Sequence, residues 1–345
     1  MHLAVYGVYL QAEAFMRVDP KKVFNAAIYG VGILILAGLV QKVGIARWGQ
    51  LLQGADKRSV LLAAMIYAAI WPIRTLRLGR LVQHAAKSLP ALRIFEIHIS
   101  GFALNSILPA KVGDVAMVGF LKNEGIKTGS AVAIAFQARI LDVLALVLVT
   151  VPSWIWLMRK DTPLWMGLSF LFCAALVALP LGITWADKKR KIASYATEAG
   201  KRAKHPFWGL ALIKMGEVYA AYHSLVWDKV LMLFSIACSI IIWMLEGSVC
   251  YVLVRALGVN MPIQASVLAV ALGNAGKGFP VTPGGIGVYE GILTAVLCSF
   301  GAPFEAAVTA AILDHLLKKG FTLVFGFFAL IRLRRAPMAL TFPEN

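Results

Sequence analysis

Apolar and polar positions in this chain fall into long blocks rather than short periods. Runs of roughly 20 apolar residues, about the length that crosses a bilayer as an α-helix, occupy residues 23–40, 60–78, 131–158, 164–185, 230–253 and 306–331. These predict six membrane-spanning helices. Two further apolar stretches, 94–120 and 263–300, are interrupted by proline and glycine and followed by an acid. Backbone broken at membrane depth survives only where it faces protein or a water-filled cavity, so both are expected to be re-entrant. The expected fold class is an all-α polytopic membrane protein, with six firm spans plus two Pro/Gly-broken re-entrant segments, in a single transmembrane domain over 1–345. The first 17 residues have no basic start and contain Glu13, a poor signal peptide. They are expected to form a tail or a short interfacial helix.

Spacing adds an internal symmetry. Trp71 precedes Pro109 by 38 residues, Gly113 by 42 and Asp142 by 71; Trp243 precedes Pro283 by 40, Gly287 by 44 and Asp314 by 71. Each half would hold three firm spans and one broken segment. Three spans per half set the second half upside down, the inverted-topology repeat found in transporters. The first repeat would run over 23–158 and the second over 164–331.

Charge refines the topology. Of the 345 residues 60% are apolar and 15% charged, with a net charge of +17; soluble domains carry about 25% charged residues. Lysine and arginine collect in cytoplasmic loops and meet anionic headgroups. No aromatic–basic module accompanies the charge, so nucleic acid is not an expected partner. Arg74, Arg77, Arg80, Lys87 and Arg93 form one basic segment, seven Lys/Arg in 188–204 a second, and Arg332, Arg334 and Arg335 a third. All three lie inside if the N-terminus starts inside and each broken segment returns to its own side. The stretch with Lys42, Arg47, Lys57 and Arg58 then falls outside, against the rule. Residues 186–229 are expected to be a basic cytoplasmic loop with an interfacial helix. The expected location is the plasma (inner) membrane, with both termini cytoplasmic. Arg77, near the end of a span, is expected to snorkel to headgroups.

The chemistry concentrates at the two breaks. In FPVTPGGIGVYEG (279–291), Pro280 and Pro283 remove two backbone donors, and Gly284, Gly285 and Gly287 permit positive φ and close approach. A helix restarting near Ile286 would present free N–H groups and a positive dipole end to an anion, beside the Thr282 hydroxyl, the Lys277 charge and Glu290. Residues 105–114 repeat the theme with Asn105, Pro109, Lys111, Gly113 and Asp114. Two such breaks meeting from opposite leaflets would build one central cavity. Further charges lie inside apolar runs: Arg139 and Asp142 three apart, Asp314 and Lys318 four apart, and Glu246. Each costs about 2.5–3.5 kcal/mol to insert, so they pair with one another or contact substrate. His315 is a candidate for proton transfer, or is simply hydrogen-bonded. No metal or cofactor is expected. The cysteines form no C-x-x-C, the histidines no H-E-x-x-H, GNAGKG lacks the P-loop spacing, and G-x-S-x-G is absent. The longest soluble segment is too short for a catalytic domain, so the chain is not expected to be an enzyme.

FPVTPGGIGVYEG resembles the P-x-T-P-G-G-I-G-x-x-E motif of the lysylphosphatidylglycerol synthase transmembrane region, the flippase-like domain family. Asn105–Asp114, NSILPAKVGD, resembles that family's N-x-x-L-P-x-x-x-G-[DE], and Arg139-Ile-Leu-Asp142 its E-R-x-x-D. Ala138 stands where the family has glutamate, and 115–120 lacks the arginine often found there, so the headgroup contacts of those two residues are not carried over. The resemblance implies lipid handling. In multiple peptide resistance proteins such a domain is joined to an aminoacyl-transferase and moves the modified lipid between leaflets. Stand-alone members are regarded as flippases or as accessory proteins for lipid-linked intermediates. The expected function is movement of an anionic or phosphate-bearing lipid, a phospholipid or a polyprenyl-phosphate-linked lipid. The alternatives are a non-catalytic membrane subunit of a lipid-modifying aminoacyl- or glycosyl-transferase, and a small-solute transporter. The expected partners are membrane lipids with anionic headgroups; a homodimer is left open.

Overall fold

The computed structural model describes residues 20–108, 111–157, 164–277 and 282–335, and within these it is helical throughout apart from short connections. In chain order the helices are α1 (Pro20–Val43), α2 (Ile45–Gly54), α3 (Lys57–Ala85), α4 (Ala91–Ile107), α5 (Val112–Asn123), α6 (Thr128–Leu157) and α7 (Leu164–Ala186), then α8 (Lys191–Arg202), α9 (Pro206–Trp227), α10 (Lys229–Ala256), α11 (Ile263–Gly276), α12 (Val288–Ser299) and α13 (Phe304–Arg335). A 3₁₀ turn, Pro283–Gly285, lies between α11 and α12. Pro109, Pro280 and the first 17 residues lie outside the described residues.

Among the described residues three helices are long and apolar enough to cross a membrane: α3, the Thr128–Pro152 part of α6, and α10. Their outward faces carry Leu61, Leu62 and Met65 on α3 and Val230, Leu233 and Ile241 on α10, all exposed. Continuous exposed apolar surface of this kind suits lipid. The molecule is a multi-pass membrane protein. The sixth expected span, α13, carries Asp314, Lys318 and Lys319 in its middle, and the structure turns these inward.

Local chemistry sets the helix starts. Asp56 caps α3, accepting from the Arg58 and Ser59 backbone N–H groups and from Ser59 Oγ at 2.6 Å. Asp228 caps α10, accepting from the Leu231 N–H at 2.9 Å. Pro90 and Pro262 stand at the N-caps of α4 and α11. The element starts recur along the chain. Lys57 to Lys229 and Ala91 to Ile263 are both steps of 172 residues; Val112 to Val288 and Thr128 to Phe304 are both steps of 176. Packing recurs with them. Helix α3 lies on α10, α4 on α13, α6 on α11, and the pairs α4–α5 and α11–α12 fold back on themselves.

Hydrophobic burial adds little between helices in lipid, so close van der Waals packing must hold the bundle. Gly113 shows how close it is: a Cβ there would lie 2.0 Å from the Gly101 carbonyl oxygen, so α5 can return along α4 only at glycine. An aromatic cluster fills the space between α3, α4 and α13. Trp71 stacks on Phe321 and meets Phe95 and Phe102 edge-on. The stretch 186–229, expected as a basic loop with an interfacial helix, is built of α8 and α9, packed on each other, with α9 also on α6.

Candidate functional site

Both broken segments end at one central cavity of about 230 Å³. Its wall includes Arg74 from α3, Asn105 and Ser106 from the end of α4, Lys111 at the first break, and Arg139 and Asp142 from α6. The opposite side is Glu246 from α10, Asn274 from α11, Lys277, Thr282, Gly284 and Gly285 at the second break, and His315, Lys318 and Lys319 from α13. Six basic side chains thus face two carboxylates across this space.

The breaks touch. Gly284 and Gly285 have φ of 63° and 76°, a conformation open to glycine and strained for other residues. A Cβ on Gly284 would sit 2.6 Å from the Ser106 carbonyl oxygen, so the turn lies flat against the end of α4. The lysine on the first break, Lys111, is itself left-handed at φ 54°.

Three networks hold the charged wall. Arg74 reaches Glu246 at 2.8 Å, Glu246 reaches Lys318 at 2.8 Å, Lys318 reaches Asp314 at 2.9 Å, and the Tyr289 hydroxyl donates to Asp314 at 2.7 Å. In the second, Arg77 donates to Asp142 and to Ser239 Oγ, both at 2.6 Å, and Asp142 faces Arg139 at 3.5 Å. Arg139 also grips both oxygens of Asp114, whose carboxylate accepts from Asn105 at 2.8 Å. In the third, Glu290 accepts the Gly287 N–H at 2.7 Å and lies 2.6 Å from His315 Nδ1. Buried ions persist where charges and lone pairs are mutually satisfied, and these networks supply that for most of the charges.

Of the residues singled out in the sequence, Asn105, Lys111, Arg139, Asp142, Lys277, Thr282, Gly284, Gly285 and Lys318 line the cavity. Asp114, Glu290 and Asp314 stand one layer behind it, holding Arg139, His315 and Lys318. Gly113 serves the α4–α5 crossing, Gly287 caps α12, and Pro283 opens the 3₁₀ turn. Helix α12 starts at Val288 rather than near Ile286, and its first free N–H, on Gly287, is taken by Glu290. Arg77 does not snorkel. It is 1% exposed, because Asp142 and Ser239 satisfy it inside the bundle, and with the equally buried Arg74 it drops out of the basic segment that orients the chain. Sequence reasoning missed Lys319, Ser106, Thr322, Tyr67 and Phe102, which also line the cavity. The phase of α13 was the available signal: Thr322 lies one turn beyond Lys318.

The family model described as the lysylphosphatidylglycerol synthase TM region matches residues 23–326, and the chain belongs to that family. It is 22% identical over 319 residues to a UPF0104 membrane protein of Methanothermobacter thermautotrophicus, covering 85% of this chain and 90% of that one. It is 36% identical over 101 residues to glycosyltransferase AglD of Haloferax volcanii, a match covering 28% of this chain and 16% of that enzyme. The chain therefore spans only a small part of that glycosyltransferase.

Proposed function

We propose that the protein moves a lipid with an anionic, phosphate-bearing headgroup between the leaflets of the membrane. The observation that carries the reading is the central cavity: six basic side chains against two carboxylates, at the meeting point of two broken helical segments. A headgroup phosphate would be received there while the hydrocarbon tails stay in the bilayer. The two halves form an inverted repeat. The recurring element starts and the exchange of packing partners, α4 on α13 for α11 on α6, support a pseudo-two-fold axis through the cavity. Rocking one half against the other would open the cavity to each leaflet in turn. Both termini are cytoplasmic on this reading, and the chain performs no bond chemistry of its own.

The cavity side chains have distinct parts. Lys111, Lys277, Lys319 and Arg139 attract and orient the phosphate. Asp114 and Glu290 hold Arg139 and His315 in place. The networks through Asp142, Glu246, Asp314 and Lys318 join α3, α6, α10 and α13, the elements that would move. The partial likeness to a glycosyltransferase favours one rival reading, a membrane subunit serving a separate lipid-modifying enzyme.

A leaflet assay tests the proposal. The protein is reconstituted into liposomes containing fluorescent phosphatidylglycerol, phosphatidylethanolamine or polyprenyl phosphate, and dithionite quenching reports label reaching the outer leaflet. Wild type is expected to raise quenching above that of empty vesicles for a phosphate-bearing lipid, and Glu290→Gln to lose most of the gain. No gain for any lipid, with or without an ion gradient, refutes transport and favours the enzyme-subunit reading.

A further inference from the structure

The cations of the cavity are not equivalent. Arg74, Arg77, Arg139 and Lys318 are matched by Asp114, Asp142, Glu246 and Asp314, four against four, each cation within 3.5 Å of a carboxylate. Lys277 and Lys319 have no carboxylate within ion-pair reach among the described residues. The Lys277 ammonium reaches Asn274 Oδ1 at 3.3 Å and lies 3.5 Å over the Tyr289 ring; the Lys319 ammonium donates to Ser106 Oγ at 3.0 Å.

The second break brings these two together. A Cβ on Gly285 would lie 2.6 Å from Lys277 Cγ, and one on Gly284 would lie 3.1 Å from Lys319 Nζ, so adjacent residues of one turn seat the two lysines. Two buried polar atoms on the same wall, Thr282 Oγ1 and His315 Nε2, have no hydrogen-bond partner among the described residues; their residues are 7% and 4% exposed. Counting Lys111 on the first break and Glu290 behind His315, seven cations of the wall and its direct partners face five carboxylates. With all of these lysines protonated, all five carboxylates ionised and His315 neutral, the excess is two positive charges. Uncompensated charge is costly inside a membrane protein, and a ligand that cancels it is favoured over one that does not.

We infer that this turn is a subsite for a phosphate bearing two negative charges, a monoester or a diphosphate at the end of a lipid, seated between Lys277 and Lys319 with the Thr282 hydroxyl as a further hydrogen-bond donor. A monoester carries about −1.5 to −2 at neutral pH; a phosphodiester carries one charge and a zwitterionic headgroup none. Two ammonium groups and a hydroxyl around one phosphate match its three terminal oxygens. This inference deepens the proposed function and rests on it.

The test is equilibrium binding by the full chain in phosphatidylcholine nanodiscs. The probes are phosphatidic acid, phosphatidylglycerol, phosphatidylethanolamine and inorganic phosphate. Phosphatidic acid is expected to bind about tenfold or more tighter than phosphatidylglycerol, the factor one extra charged hydrogen bond supplies. Lys277→Gln and Lys319→Gln should each shrink that ratio towards one, and Lys277→Arg and Lys319→Arg should restore most of it, which separates loss of charge from loss of fold. Equal binding of the two lipids, or variants that weaken both by the same factor, overturns the subsite. Inorganic phosphate competing as well as phosphatidic acid overturns the lipid source. A monoester preference without lipid movement in the leaflet assay leaves the subsite standing and removes transport; movement without the preference does the reverse.

Discussion

Glu246 joins two cations from different helices, Arg74 on α3 and Lys318 on α13, each at 2.8 Å. Arg74, Glu246 and Lys318 are 3%, 5% and 8% exposed. Glu246→Gln keeps the shape and removes the charge. Lys318 retains Asp314 at 2.9 Å, but Arg74 is left with a neutral amide oxygen and the faces of Phe102 and Trp71, at 4.9 and 5.8 Å. Removing one partner of a buried ion pair costs about 3–5 kcal/mol, and a cation over an aromatic ring returns about 0.5–2 kcal/mol that is already present in the wild type. The expected loss is therefore the full ~3–5 kcal/mol, measured by equilibrium unfolding in mixed micelles. Arg74→Met alone should also destabilise. The double variant Arg74→Met/Glu246→Gln should be less damaged than the sum of the two, with a coupling of about 1–3 kcal/mol. A Glu246→Gln protein within about 0.5 kcal/mol of wild type, the range of ordinary surface substitutions, would refute the claim that this network is a structural bridge.

Gly284→Ala places a methyl 2.6 Å from the Ser106 carbonyl oxygen at φ 63°; it should cost about 1–3 kcal/mol in the unfolding assay and abolish lipid movement in the leaflet assay by separating the two breaks. Gly113→Val should disrupt the α4–α5 crossing more severely, because a side chain there meets backbone at 2.0 Å, and it should show as low yield of folded protein on size-exclusion chromatography. Asp228→Ala removes the cap of α10 and should lower stability by about 1 kcal/mol, whereas Asp228→Asn, which still accepts from the backbone, should lower it less; both should leave lipid movement near wild type.

The helical segments were legible because length and apolar continuity decide them, and α3, α6 and α10 start one to three residues before the expected spans, while α3 runs seven residues past the end of its own. The breaks were legible because proline and glycine inside apolar runs have few other uses at that depth. Pairing was harder to read. Arg77 lies eight residues before the end of α3, so its burial depends on Asp142 and Ser239, 65 and 162 residues away, and no local pattern encodes that. The i, i+4 spacing of Asp314 and Lys318 was readable, but the neighbouring Lys319 looked the same in sequence, and only the packing of α4 on α13 brings it to Ser106. The 186–229 stretch, expected as a basic loop with an interfacial helix, holds two helices, α8 and α9. Lys214 and Glu217 pair with each other at 2.9 Å on the exposed face of α9, freeing the rest of that helix to pack on α6 and α8. One signal was present and unused: Asp56-Lys57 and Asp228-Lys229 recur at the same 172-residue step as Trp71 and Trp243, and both aspartates cap helices.

The central claim is that the cavity at the two breaks opens to each leaflet in turn. It is tested most directly by placing a cysteine at Thr282, in a chain whose native cysteines are replaced, and labelling it with a membrane-impermeant thiol reagent added to one side or the other of oriented vesicles. The account expects labelling from both sides, slowed when phosphatidic acid is included in the membrane. Labelling from one side alone, at a rate indifferent to that lipid, would contradict it.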